Sequence, residues 1–173
     1  NVLIAKSPNK GTTLIDSDEW SLKDDTFYPS VINFVNEVIE HGKDTVQLQA
    51  AYLMVWTAIE RIAALKISLK GTPRDKILKL AMEKTFSDII DEVGFPDKLR
   101  KVYDTRNLDS NIPKKGKYIS TVNYLYQVRS NITHRGKAGF SKDHELVQHC
   151  LMIMLRILKS YVGDNSTDPA PPF

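Results

Sequence analysis

With one cysteine and eight glycines among 173 residues, this chain is poor in the two residue types that build disulfide frameworks and tight turns. A lone cysteine, Cys150, set in an apolar run forms no intrachain disulfide and suits a reducing compartment. So few glycines favour helices over a turn-rich β fold. No Cys/His set stands at zinc-ligand spacing, so no metal is expected; His144 and His149, with Cys150, read as surface and core residues. The glycine patterns that cradle phosphates in Walker-type or dinucleotide sites are missing, and no cofactor is expected. The opening NVLIAKSPNK lacks the hydrophobic region of a secretory signal. The most apolar stretches, 50–59 and 150–158, are too short to cross a bilayer, and Arg156 interrupts the second. The expectation is a soluble, cytoplasmic protein with no membrane partner.

Acidic residues are nearly missing from about a quarter of the chain. Between Lys98 and Lys142 there are eleven basic residues but only Asp104 and Asp109 on the acidic side. That segment carries +9 and the remainder −6, although the whole chain is only +3. A basic block on a near-neutral protein suggests a polyanion partner, because each Lys or Arg on a phosphate releases counterions. A solvated basic face with no partner is the other reading.

Apolar periodicity then sets the organisation. Residues 1–27 show little of it and read as an irregular N-terminal arm. A helix is predicted from Tyr28 to about Glu40, with Val31, Phe34, Val35, Val38 and Ile39 at helical spacing and Gly42 as its stop. Asp44 is a candidate cap for the longest helix, which runs to about Leu69 with Tyr52, Val55, Trp56, Ile59, Ile62 and Ala63 as its core stripe. Pro73 suits the first turn of a third helix containing Ile77, Leu80 and Ala81. Shorter pieces are predicted over 87–93 and 96–103, and a loop over 107–116. A helix over 118–133 and a last one from Ser141 to near Gly163 complete an all-α, up-and-down bundle of five to six helices over 28–163. The last helix is apolar nearly all round from Cys150 to Leu158, as for a helix that is central or covered by a partner. The Pro-rich end NSTDPAPPF, 164–173, reads as a tail or linker. With no Met at its head, the chain is expected to be a fragment or a processed form, with a fused or partner domain reached through its termini.

The helix over 118–133 closes on YQVRSNITHRGK, which places Arg129 and His134 with four residues between them. An Arg keeps its charge at every physiological pH, while an imidazole changes charge near neutrality. Together they supply a clamp for a phosphoryl group and a proton donor or acceptor. Arg129 follows Leu125 by four residues and Val122 by seven, which puts it on or beside the apolar stripe of Val122, Leu125, Val128 and Ile132. There a guanidinium snorkels to water or needs a carboxylate, and Glu60, bordering the Trp56 stripe, is the candidate. Five positions along a straight helix turn a side chain by about 140° and raise it by about 7.5 Å, so Arg129 and His134 cannot share a face unless the helix frays before Gly136. Tyr118, Tyr124 and Tyr126 are packing residues or base-stacking ones.

The RSNITH run, with the LMVWTAIERIAAL helix at 53–65 and the long apolar helix after the motif, resembles the HEPN domains, in particular the Apea-like HEPN group, over about 28–162. The resemblance implies a helical bundle that dimerises with both motifs lining one cleft, and in many members a metal-independent endoribonuclease. It assigns Arg129 to the phosphoryl group, His134 to proton transfer, and a polar role to Ser130 or Asn131; Glu60, from its place beside the Trp56 stripe, is expected to stand behind the Arg. The family often has Asn directly after the Arg; here Ser130 comes first and Asn131 second. Arg135, Lys137, Lys114, Lys115 and Lys117 are the expected RNA contacts. Some HEPN toxins carry a modifiable Tyr two residues after the His; Gly136 stands there instead. A role in prokaryotic antiviral defence or as a toxin follows from the family context. The alternative is a non-catalytic HEPN module that binds RNA, a nucleotide or another domain. A third reading, a purely structural dimerisation bundle, accounts for the apolar last helix but not for the basic block.

Overall fold

The apolar spacing is realised as helices α1 (Phe27–His41), α2 (Thr45–Lys66), α3 (Pro73–Ala81), α4 (Lys84–Val93), α5 (Tyr118–Arg135) and α6 (Ser141–Val162). The structure is a computed structural model describing residues 20–41, 44–67, 71–94, 102, 118–135 and 141–164, with the backbone alone for Arg135, Ser141 and Lys142. Among the described residues every regular element is helical, and the chain is an all-α bundle. The predicted 96–103 piece, apart from a buried Val102, and the 107–116 loop lie outside the described residues. So do residues 1–19 and 165–173.

Local chemistry sets the helix ends. Asp44 caps α2 by accepting a hydrogen bond from the Val46 N–H at 2.8 Å. Thr72 and Asp75 form a reciprocal capping box at the start of α3, with Pro73 in its first turn. Gly94 closes α4 at φ 66°, a conformation that carries no Cβ penalty for glycine.

The two 22-residue helices, α2 and α6, form the centre. α2 packs on α6, α1, α3 and α5, while α6 also meets α1, α4 and α5. This explains the apolar circumference of α6: Ile153 and Leu155, on opposite sides of its main stripe, are both buried within the single chain. The helix is central, and among the described residues it carries no exposed large hydrophobic side chain. On α1 the buried stripe is Tyr28, Val31, Ile32, Val35, Val38 and Ile39. Phe34, predicted to belong to it, is 40% exposed because it falls on the margin of that face.

The irregular lead-in does more than precede α1. Trp20 and Leu22 pack against the core, and Trp20 Nε1 donates to Asp25 Oδ2 at 2.7 Å. The same oxygen accepts from Arg61 Nε and Nη2 at 3.2 and 2.8 Å, tying the segment to α2. Burial pushes the Asp25 carboxyl up, but the hydrogen bonds from Trp20, Arg61 and the Phe27 N–H outweigh it and hold it below its ordinary value.

Asp25 therefore stabilises the fold above the ordinary carboxyl range of about 4, and that contribution fades as pH falls through its lowered folded value. Asp25→Asn should cost about 2 kcal/mol at pH 7, the scale of hydrogen bonds to a charged group. Urea unfolding should show the gap narrowing once both proteins are neutral there, in strongly acidic buffer.

Candidate functional site on the α2–α5 contact

Three residues of α2 spaced four apart, Tyr52, Trp56 and Glu60, present one row to α5. The fully buried Tyr52 hydroxyl donates to the Leu125 carbonyl at 2.8 Å. Trp56 meets the Tyr126 ring edge-on, with centroids 5.5 Å apart at 90°, and Tyr52 packs against Trp56 at 6.5 Å. At the end of the row Glu60 Oε1 lies 3.1 Å from Arg129 Nη2. The carboxylate named from its place beside the Trp56 stripe is therefore the one that meets Arg129.

This ion pair is loosely made. Both side chains keep about a quarter of their surface in solvent, 25% for Arg129 and 26% for Glu60. Although the ions are close, Glu60 Oε1 and Arg129 Nε have no aligned hydrogen-bond partner among the described residues. We take the contact as charge proximity worth no more than about 1 kcal/mol. Burial raises the Glu60 carboxyl above its ordinary value, and the attraction of Arg129 only partly offsets that. Arg129 also lies over the Tyr126 ring at 5.5 Å, a second weak hold on the guanidinium.

α5 runs without a break from Tyr118 to Arg135, so the helix does not fray between Arg129 and His134. The helical turn of about 100° per residue then sorts the motif onto two faces. Arg129 falls with Val122, Leu125 and Tyr126 and turns inward to α2. His134 is exposed and lies on the other face with Gln127, Ser130 and Asn131, at offsets of seven, four and three. Asn131 Oδ1 accepts from Gln127 Nε2 at 3.0 Å, and the Thr133 hydroxyl donates to the Arg129 carbonyl at 3.0 Å. Ser130 and Asn131 are half-buried, on the face of His134 and not of Arg129. Lys114, Lys115, Lys117 and Lys137 lie outside the described residues, as does the side chain of Arg135.

The sequence gave no hint of Arg74. It follows Pro73 in the first turn of α3, and the packing of α3 on α5 brings its guanidinium to 5.8 Å from the Tyr126 ring centroid. Arg74 Nη2 donates to Asn123 Oδ1 at 2.7 Å. Of the three tyrosines with a possible stacking role, Tyr124 is fully buried and Tyr118 packs against the core, while Tyr126 carries two cations over its ring. Two clefts flank Pro73. One, of about 440 Å³, opens beside Arg74 and Tyr126; the other, of about 410 Å³, is lined by Phe27, Glu60, Arg61 and Lys76. Both volumes fall in the usual range for small-ligand sites. Among the described residues no three His, Cys, Asp or Glu side chains are grouped to hold a metal ion, and no helix is long and apolar enough to cross a membrane.

A carboxyl raised by burial favours its neutral form in the folded protein, so Glu60 lowers stability once pH rises through its folded value. Glu60→Gln, which keeps the shape without the charge, should raise the urea midpoint at pH 7. The gain should disappear below about pH 4, where the native residue is itself protonated. A loss at pH 7 would mean that the pair with Arg129 outweighs its desolvation.

Compared with protein-family models, curated proteins and solved structures, the chain matches none, so the action of this site has to be read from its own residues.

Proposed function

We propose that this chain is a metal-independent endoribonuclease of HEPN type whose site is completed by two copies of α5 across a two-fold axis. The observation that carries this reading is the unbroken α5, which turns Arg129 and His134 to different faces while leaving both reachable from solvent. One chain alone does not bring the two side chains to one phosphate; two copies meeting at their motif ends do.

The chemistry draws only on side chains and on RNA itself. The ribose 2′-hydroxyl attacks the adjacent phosphorus as His134 of one copy accepts its proton. The P–O5′ bond breaks, and the same imidazole, now protonated, returns that proton to the departing 5′-oxygen, while the other copy supplies Arg129. The products are a 2′,3′-cyclic phosphate and a 5′-hydroxyl. Arg129 stabilises the charge on the phosphorane oxygens and is well suited to bidentate pairing with them. Ser130 or Asn131, beside the imidazole, orients the phosphate. Arg135, Lys114, Lys115, Lys117 and Lys137 supply the charge that draws the strand in. The free, buried Cys150 suits action in the cytoplasm, and the family resemblance suggests a defence or toxin role.

One observation favours a second reading, a non-catalytic RNA- or nucleotide-binding module in a longer protein: Glu60 already faces the Arg129 charge. Arg129 nevertheless keeps about a quarter of its side chain in solvent, which is why the first reading is preferred.

His134→Ala should reduce RNA cleavage by about 10² or more, the usual scale for a lost general acid or base, with helical content unchanged. Cleavage should persist in excess EDTA. A protein that cuts no RNA, or cuts only with added metal, takes the second reading. Close approach of two Arg129 and two Arg135 side chains is unfavourable without an anion between them, so phosphate should tighten the dimer in sedimentation. A monomer under every condition contradicts the composite site.

A further inference from the structure

We infer that the cleft between the start of α3 and Tyr126 is a second subsite for the same single-stranded RNA, with Arg74 holding a phosphate next to the one on Arg129. The inference rests on the ribonuclease reading for its substrate, but on different residues for its support. Arg74 and Arg129 come from helices separate in sequence, yet both guanidinium carbons lie within 6 Å of one ring, at 5.8 and 5.5 Å from its centroid. They are therefore within reach of phosphates roughly one or two nucleotides apart. Tyr126 also packs at 90° to the Trp56 ring, with centroids 5.5 Å apart, which fixes it beside the two cations.

The cleft beside it holds about 440 Å³ and is walled by Pro73, Leu78 and Tyr126, apolar surfaces on which a base can lie. Asn123 takes one arm of Arg74 and orients it, while Arg74 Nε has no hydrogen-bond partner among the described residues. That atom is buried, so a phosphate oxygen would meet the guanidinium at its outer Nη atoms, one of which Asn123 already holds. Asp75 also lines the cleft, but its Oδ2 accepts from the Thr72 N–H and hydroxyl at 2.9 and 2.7 Å and serves the helix start. Asp75 keeps its negative charge there, and Arg74 is the cation in the lining that a phosphate would meet. None of this is visible in the basic block at 98–142, to which Arg74 does not belong.

The test uses a fluorescein-labelled single-stranded RNA of about 12 nucleotides, 2′-O-methylated so that it binds without being cut, read by anisotropy across a salt series. Arg74→Ala should weaken binding about tenfold and reduce the slope of log K against log salt by about 0.7, the share of one phosphate on a single strand. Arg74→Lys should restore the slope but not the full affinity, a pattern that loss of folding does not produce. Tyr126→Leu should weaken binding with the slope unchanged, and Tyr126→Phe should bind as the native chain does. Native affinity and slope in Arg74→Ala overturn the subsite, and if His134→Ala still abolishes cleavage, the ribonuclease reading survives alone. Binding that depends on Arg74 in a protein that cuts no RNA keeps the subsite and removes the nuclease. A native protein that binds no RNA overturns both.

Discussion

Tyr52, Trp56 and Glu60 stand four residues apart along α2, and they determine where α5 lies. The buried Tyr52 hydroxyl fixes α5 at the Leu125 carbonyl, the Trp56 indole meets Tyr126 one residue later, and Glu60 faces Arg129. A hydroxyl removed from water needs a partner, and an aromatic pair has preferred angles, so these contacts set register as well as proximity. Because α5 is docked this way and does not break before Arg135, the directions of Arg129 and His134 follow from helical geometry alone.

Under the proposed reading, the same docking leaves the site only partly built in one chain. Arg129 turns toward the α2 row, where a poorly aligned carboxylate and a tyrosine ring hold it without closing it off from solvent. His134 turns outward with Ser130 and Asn131. On that reading, two such half-sets are brought together by an anion between their like charges and not by apolar surface, because α6 buries its large apolar residues inside its own chain. Under the proposed reading, the dimer is held chiefly by what binds between its cations. That makes assembly dependent on substrate and salt.

Much of the fold was legible because it rests on periodicity and caps. The α2 stripe, the Asp44 cap, the Pro73 start and the last helix from Ser141 all stand where their spacing placed them. Glu60 was also legible as the partner of Arg129, since a carboxylate bordering an aromatic stripe is available to a cation on the facing helix. The anchoring of the lead-in was not: Trp20, Asp25 and Arg61 are joined by a tertiary hydrogen-bond set with no local pattern. Arg74 was hidden for the same reason. Its meeting with Tyr126 depends on how α3 lies on α5, about fifty residues along the chain, and no short-range spacing encodes that.

The central claim is that Arg129 and His134 act across two copies, and mixing two inactive variants tests it most directly. Arg129→Ala and His134→Ala should each be inactive alone. When the two are combined and allowed to exchange subunits, the hybrid dimer keeps one Arg129 and one His134 on opposite chains. The account predicts recovery of RNA cleavage to about a quarter of the native rate, from half the dimers each holding one complete site. No recovery, with subunit exchange verified by differently labelled copies, would contradict it and return Arg129 to the role of an ion-pair residue for Glu60.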